Sequence, residues 1–329
     1  MPEVSPSVLI IRLDGIGDAL ALAPLLAALR RRAIPVDVVL RPSNAGVFAA
    51  GAARRVVVAD FELRSGSATN VARIRELGRS LRARGYSHVL VATEDPGGYR
   101  LAGAVAAPVR IGFTNGWGKP FKSLWVRRFL TAAVYRSAGL DRHARHECEV
   151  LFGLRARLTG DERPTKDARE LRTLVLEREP QPDERVAVQI TQKWERLGIS
   201  LEAVVELVRR LASGAELRLL SARAEAPYAQ RIAQATGAAI DYFDDLAEWK
   251  AAIGAAPALV APDSGAMHVA GMVSTPVVGV FPAGRDFALQ VARWAPWAAR
   301  HRIVRAGDGW PARATNALAD LLCHPERGA

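Results

Sequence analysis

Short apolar runs alternate with longer amphipathic stretches almost from one end of the chain to the other. The run VLIIRL at 8–13 reads as a buried strand, and residues 19–32 follow as a helix that closes on Arg30, Arg31 and Arg32. Cations suit that position because the carbonyl end of a helix carries partial negative charge. Residues 36–40, 56–59 and 88–93 read as further strands, and within 70–84 the apolar positions Val71, Ile74, Leu77 and Leu81 recur at helical spacing. The pattern then restarts, with strands at 186–190, 217–220, 258–261 and 277–281, helices at 201–211, 224–235 and 266–273, and a final helix at 314–322. Strands separated by helices of about 10–15 residues imply βαβ units and a parallel sheet.

Between the two series lies the stretch 159–183, where Pro164, Pro180 and Pro182 sit among many charges. It reads as a linker. The expected architecture is therefore two α/β domains, 1–165 and 166–329, with a cleft between them and a final helix able to pack back on the first. A length of 329 residues fits two domains of ordinary size.

Composition narrows the class. Half the residues are apolar and 24% are charged, which excludes wholesale disorder, while only 6% are aromatic, so Ala, Leu and Val must build the core. Two cysteines, Cys148 and Cys323, make no disulfide framework and fit a reducing compartment. The opening MPEVSPSVLI carries Glu3 and no basic run, so no signal peptide is expected. The longest apolar stretch, 19–29, holds 11 residues, against about 20 for a membrane span. A cytoplasmic protein is expected.

Charge separates the halves. Residues 1–165 hold 25 Lys and Arg against 14 Asp and Glu, a net +11; residues 166–329 hold 20 of each. The first half is thus expected to meet something anionic, whether a phosphorylated substrate, a membrane surface or nucleic acid. An arginine-rich genome would be the bland cause, but it should colour both halves.

Two turns carry candidate chemistry. The first is LDGIGDALALAP at 13–24, a glycine-rich turn between a buried strand and a helix, where open α/β sheets bind ligands. Gly15 and Gly17 meet the first two places of a dinucleotide fingerprint, but Leu20 takes the last, and no GK[ST] is present. Asp18 is either a first-turn acid that caps the helix or a carboxylate aimed into the cleft as a general base, its pKa lowered by the helix dipole. Asp14 is the neighbouring alternative.

The second turn is LVAPDSGAMHVAGMVSTPVVGVF at 259–281. Asp263, Ser264 and Gly265 open a helix whose amides would suit a diphosphate. Asp263 could equally cap that helix, and His268 could be an ordinary helix-face residue. Of the other chemistry-bearing groups, His143, His146 and Cys148 lack further ligands at metal-site spacing. Trp294 and Trp297 read as packing or a partner surface, and the basic residues 79–84 as a solvated helix face. No nucleic-acid reader motif accompanies the basic half.

Taken in order, GIGDALALAP and DSGAMHVAGMVSTPVVGVF resemble glycosyltransferase family 9, the ADP-heptose:lipopolysaccharide heptosyltransferases. That family carries a loop ending in G-D before a proline-bearing helix, then D-[ST]-G-x-x-H followed by a T-P-V-V strand. RHECEVLFGLRARLTG at 145–160 is similar to its interdomain helix. The resemblance implies a GT-B fold, two Rossmann-like domains with parallel sheets facing across a central cleft. It implies an inverting heptosyl transfer without a metal and with no cofactor beyond the substrates, a nucleotide sugar, ADP-linked, and an anionic lipopolysaccharide inner-core acceptor. The first domain would take the acceptor, with Asp18 as base and Asp14, Gly15 and Gly17 in the acceptor-side loop. The second would take the donor through Asp263, Ser264, Gly265, Ala266, Met267 and His268. Peripheral contact with the inner membrane face would follow from a lipid-linked acceptor.

The chain departs from the family in two places. Where the family has K-x-W-P, this sequence reads ITQKWERLGIS at 190–200: Trp194 is kept, Gln192 takes the lysine's place, Lys193 follows it, and Glu195 replaces the proline. Lys193 or Arg196 would then reach the donor phosphates. SARAEAPYAQRIA at 221–233 is similar to the family's G-G-x-x-E segment without its glycines, with Glu225 at the acidic place that approaches the ribose. These departures keep open a different nucleotide sugar or acceptor, and a sugar-nucleotide-binding relative that no longer turns over.

Overall fold

The computed structural model describes residues 6–137, 145–155, 158–160 and 163–324, and the chain divides into two compact units, Met1–Thr165 and Lys166–Ala329. Glu3 and His143 lie outside the described residues.

In the first unit, β1 (Val8–Ile11) leads through α1 (Ile16–Leu20) and α2 (Ala23–Arg31) to β2 (Val36–Leu40) and β3 (Arg55–Val58). There follow α3 (Ala68–Arg82), β4 (His88–Val91), α4 (Pro96–Val105), β5 (Val109–Thr114), α5 (Pro120–Val126), β6 (Ala132–Tyr135) and α6 (Glu147–Phe152). The strands form one parallel sheet in the order β3-β2-β1-β4-β5-β6. Every residue of β1 and of β2 is buried, which is why both strands read as unbroken apolar runs apart from Asp37. That buried carboxylate accepts from Arg54 Nε at 2.8 Å and from the Tyr86 hydroxyl at 2.5 Å.

The single helix expected over 19–32 is two. Pro24 lacks an N–H and falls in the first turn of α2, so the helix restarts there, while α1 begins three residues earlier than the apolar pattern suggested. Among the described residues, the expected helix around 145–160 takes the form of α6 and a short 3₁₀ turn at Gly153–Arg155. His146 caps α6, its Nδ1 accepting from the Cys148 amide at 3.1 Å.

The second unit repeats the design. After α7 (Ala168–Val175) come β7 (Val186–Gln189), α8 (Lys193–Arg196), α9 (Leu201–Ala212), β8 (Leu217–Ala222), α10 (Ala226–Thr236) and β9 (Ile240–Phe243). The series ends with α11 (Leu246–Ala255), β10 (Leu259–Pro262), α12 (Gly265–Val273), β11 (Val277–Phe281), α13 (Phe287–Trp294), β12 (His301–Arg305) and α14 (Trp310–Cys323). Its parallel sheet runs β12-β11-β10-β7-β8-β9, the same topology as the first. In each sheet the strand order reverses beside the first strand, between β1 and β4 and between β7 and β10.

One expectation is corrected. The stretch 159–183 is not a plain linker: Asp167 caps α7 through the Arg169 and Glu170 amides, and the helix buries Leu171, Leu174 and Val175 against α12. The final helix is built into the core of the second unit, where Ala314, Leu318 and Leu321 meet α9, β11 and β12. Trp310 at its start stacks on Trp194 with ring centres 5.5 Å apart.

α12 is seated unusually closely. A methyl group on Gly271 would come within 2.9 Å of the Trp297 backbone nitrogen and 3.1 Å of Pro296 Cα, atoms with little room to move. Gly271→Ala should therefore destabilise the protein by about 1–3 kcal/mol despite the gain in helix propensity. A chemical-denaturation midpoint equal to or above that of the parent would show that the 296–297 segment yields freely.

Candidate active site

In the first unit the chemistry gathers at the carboxyl ends of the central strands. The last strand-like position of VLIIRL is Arg12, an arginine 2% exposed in an apolar run. Its guanidinium donates from Nη2 to Asp18 Oδ1 at 2.9 Å and to Glu147 Oε1 at 3.3 Å, from Nε to the Asp18 carbonyl at 3.0 Å, and from Nη1 to the Ala92 carbonyl. Asp14 Oδ2 lies 3.4 Å from Nη1. One cation thus holds three carboxylates together, and full burial without them would be prohibitive.

Asp18 takes the capping role considered for it. Its Oδ2 accepts from the Gly15 amide at 3.2 Å, closing the first turn of α1, while Oδ1 takes the arginine. Its side chain remains 36% exposed, so a substrate hydroxyl can reach it. The helix-dipole expectation for its pKa is overturned. Burial pushes the carboxyl above its ordinary value, and Asp14 and Glu147 add to that; Arg12 and the Gly15 amide oppose it without winning. A raised carboxyl is a stronger base than a capping aspartate would be.

The network extends outward. Glu147, fully buried, also accepts from Arg136 Nη2 at 3.0 Å, and Arg136 Nε approaches Glu94 at 3.7 Å. Lys122 Nζ meets the other Glu94 oxygen at 3.2 Å, and Asn115 donates to Glu94 at 3.4 Å. Burial alone would raise the Glu94 carboxyl, but Arg136 and Lys122 outweigh it and hold it low. Asn44 fixes the 14–17 loop by donating to the Asp14 carbonyl at 2.6 Å. Asp14, Gly15 and Asp18 are therefore brought together, whereas Gly17 serves as backbone, its carbonyl accepting from Ala21.

In the second unit, β8, β7 and β10 are neighbours, so the segments bearing Glu225, Lys193 and Asp263 leave adjacent strand ends. Ser264, not Asp263, occupies the N-cap of α12, with extended backbone and no side-chain cap. The Ser264 hydroxyl is buried and without a hydrogen-bond partner. The Asp263 carboxylate stands 3.9 Å from His268 Nε2. Ala266 and Met267 are buried at 1% and 0%, so only their backbone amides, with that of Gly265, can address a ligand. An uncapped helix start with an unsatisfied hydroxyl is an anion-binding arrangement.

Lys193 opens α8, its amide donating to Thr191 Oγ1 at 3.2 Å, and its half-buried side chain has no acidic partner among the described residues. Trp194 is core, donating from Nε1 to the Gln189 carbonyl at 3.0 Å. Glu225 is half-buried at the start of α10 and caps nothing with its side chain. Trp297 is buried, but Trp294 stands edge-on to His268 with ring centres 5.6 Å apart, a placement that its spacing did not suggest. No cluster of three or more His, Cys, Asp or Glu suited to a metal ion is found among the described residues. Nor is any described helix long and apolar enough to cross a membrane.

Fold comparison defines the class by its architecture, GT-B. Residues 206–320 match the model of glycosyltransferase family 9 (heptosyltransferase), which bears out the resemblance read from the motifs. Among solved structures, the family 9 glycosyl transferase from Veillonella parvula shares 15% identity over 98% of this chain and 99% of that one, with a TM-score of 0.73. Escherichia coli ADP-heptose lps heptosyltransferase II shares 17% over 98% and 100%, TM-score 0.70. E. coli heptosyltransferase WaaC, solved with ADP, shares 19% over 97% and 99%, TM-score 0.68. No curated protein sequence matches.

Because the folded-state pKa of Asp18 is raised, its protonated form is the one the fold favours. That stabilisation is complete below the ordinary carboxyl pKa and is lost as pH rises through the raised value. At neutral pH the ionised group is a cost, so Asp18→Asn should melt at the same temperature as the parent or higher. Melting curves from pH 4 to 8 test this; a variant less stable at neutral pH would mean that the pairing with Arg12 dominates.

Proposed function

We propose that the protein is an inverting, metal-independent heptosyltransferase that moves heptose from ADP-heptose to an anionic, lipid-linked inner-core saccharide. The observation that carries the reading is the pair of strand-end sites on matching folds: a raised, accessible carboxylate at Asp18 and an uncapped helix start at Ser264. In this proposal the first unit takes the acceptor and the second the donor. WaaC, whose fold this chain shares, has been solved with ADP and with ADP-2-deoxy-2-fluoro heptose, which supports an adenine diphosphate donor here.

The chemistry follows from the groups available. Asp18 takes the proton from the acceptor hydroxyl as its oxygen forms a bond to the anomeric carbon from the face opposite the leaving group. The bond from that carbon to the diphosphate oxygen breaks, and ADP leaves with the negative charge. The sugar passes through oxocarbenium character. Amides of Gly265, Ala266 and Met267, the Ser264 hydroxyl and Lys193 stabilise the departing diphosphate, so neither a metal nor a cofactor is called for. Asp14 and Gly15 shape the acceptor side; Asp263 and His268 steady the donor loop, and Glu225 approaches the ribose. The net +11 of the first half suits an anionic acceptor presented at the cytoplasmic face of the inner membrane.

One feature favours a second reading, a GT-B transferase with another nucleotide sugar: the altered QKWE sequence at 192–195. A thermal-shift panel with ADP, UDP, GDP, CDP and NAD at equal concentration separates the two, because a ligand bound only by the folded state raises its stability. Selective stabilisation by ADP is expected; preference for another nucleotide would replace the donor. No shift with any would favour the non-catalytic reading.

Asp18→Asn should keep the ADP shift while kcat falls about 10²-fold or more, the range of general-base loss. Near-parental turnover would remove Asp18 from the role of base. Asp263→Ala should chiefly weaken nucleotide binding, and unchanged affinity would move the donor loop elsewhere.

A further inference from the structure

The most exposed large apolar side chains of the described residues cluster at the β6 edge of the first sheet. Trp117 is 96% exposed, Phe121 89%, Leu124 65% and Tyr135 61%. Single exposed apolar residues need no explanation, but four in one neighbourhood do. Their placement is built. On α5, Ser123 and Val126 are buried and Trp125 packs on Phe129 and Tyr99, with ring centres 4.8 and 6.2 Å away. The inward face is therefore fully used, and Phe121 and Leu124, three residues apart, form a second apolar face directed outward. Tyr135 lies beside the turn that carries Trp117: a methyl on Gly116 would stand 3.4 Å from its ring.

Charge identifies what covers this face. From 115 to 137 the sequence holds Lys119, Lys122, Arg127, Arg128 and Arg136 and no Asp or Glu. Lys122 and Arg136 are engaged by Glu94, but Lys119, Arg127 and Arg128 are exposed. A second copy of the chain, docked about a two-fold axis, would set these cations against themselves. An acid-free ring of cations around Trp, Phe, Leu and Tyr instead matches an anionic bilayer interface, where aromatic rings sit among the headgroups and lysine or arginine heads meet phosphate.

We propose that the outward face of α5, with Trp117 and Tyr135, is a membrane-docking surface that inserts apolar side chains into an anionic lipid bilayer while Lys119, Arg127 and Arg128 bind its headgroups. The Lys122–Glu94 ion pair and the Asn115–Glu94 hydrogen bond join this surface to the network around Asp18, so a docked bilayer would lie next to the first unit's site. Only this last point, the delivery of a lipid-linked acceptor, rests on the transferase reading.

The test uses the full chain and vesicles without donor or acceptor sugar, so its failure leaves the transferase assignment standing. Sedimentation with phosphatidylglycerol/phosphatidylethanolamine vesicles should capture the protein at low salt, and phosphatidylcholine vesicles should not. The triple variant Trp117→Ala, Phe121→Ser, Leu124→Ser should lose about tenfold or more in partitioning with an unchanged melting temperature. Lys119→Glu with Arg127→Glu should lose as much. Brominated lipid should quench part of the tryptophan emission, and that part should vanish in Trp117→Phe, a readout independent of the triple variant's folding. Absence of vesicle binding, or equal binding by the apolar variant, would overturn the proposal. So would a self-association of the parent, seen by sedimentation equilibrium, that the triple variant abolishes.

Discussion

A parallel sheet whose strand order reverses at its centre leaves two neighbouring strands with their connections running to opposite sides. At that point the carboxyl ends of the strands are uncovered, and loop amides, helix starts and side chains converge there. Both units of this protein are built on that constraint, with the reversal beside β1 in one and beside β7 in the other. The candidate residues at these strand ends follow from it. Asp14 and Asp18 leave β1, Glu94 leaves β4, Lys193 leaves β7, and Asp263 and Ser264 leave β10.

The two units fill equivalent positions with opposite electrostatics. In the first, carboxylates crowd around one buried guanidinium, and burial, with Asp14 and Glu147 adding to it, holds the Asp18 carboxyl above its ordinary range. In the second, the strand end gives way to an uncapped helix with an unsatisfied hydroxyl, a place that invites an anion. In the proposed sugar transfer from a diphosphate, the first arrangement would serve as proton acceptor and the second as anion seat. The buried Arg12 also gives the site its rigidity, since an unpaired guanidinium at that depth would be costly and the carboxylates are held wherever it sits.

The +11 of the first half is not spread as a uniform field. Some cations are balanced inside and add nothing to that net, as where Arg12 and Arg136 meet Glu147 and Arg54 pairs with the buried Asp37. On α3, Arg79 and Arg82 face solvent as ordinary helix cations. The remainder that stands beside exposed aromatic residues, around α5, is the portion whose composition has no use in water. Net charge alone could not separate these three destinations.

Hydrophobic periodicity determined much of the secondary structure. β2 and β11 have the bounds read from their apolar runs, and α9 and α12 lie within a residue of theirs, because burial on a sheet face or a helix stripe imposes a local period. The two strand-to-helix turns were legible for the same local reason: a glycine, an acid and the onset of a helix stand next to one another in sequence. The break at Pro24 and the capped helix inside the charged stretch 159–183 were also written locally, in a proline and an Asp, and were outweighed by the longer pattern. What only the tertiary structure decided is the company these residues keep. Arg12 meets Ala92 and Glu147, 80 and 135 residues away, and burial of Asp18 in the network so formed reverses the pKa direction that helix geometry alone would give it, against the pull of Arg12 itself. Likewise Trp294 meets His268, and Phe121 faces outward while Trp125 faces in, because packing assigns the faces of an element with apolar residues on more than one side. A local period fixes which residues share a face; only the folded neighbours fix what that face meets.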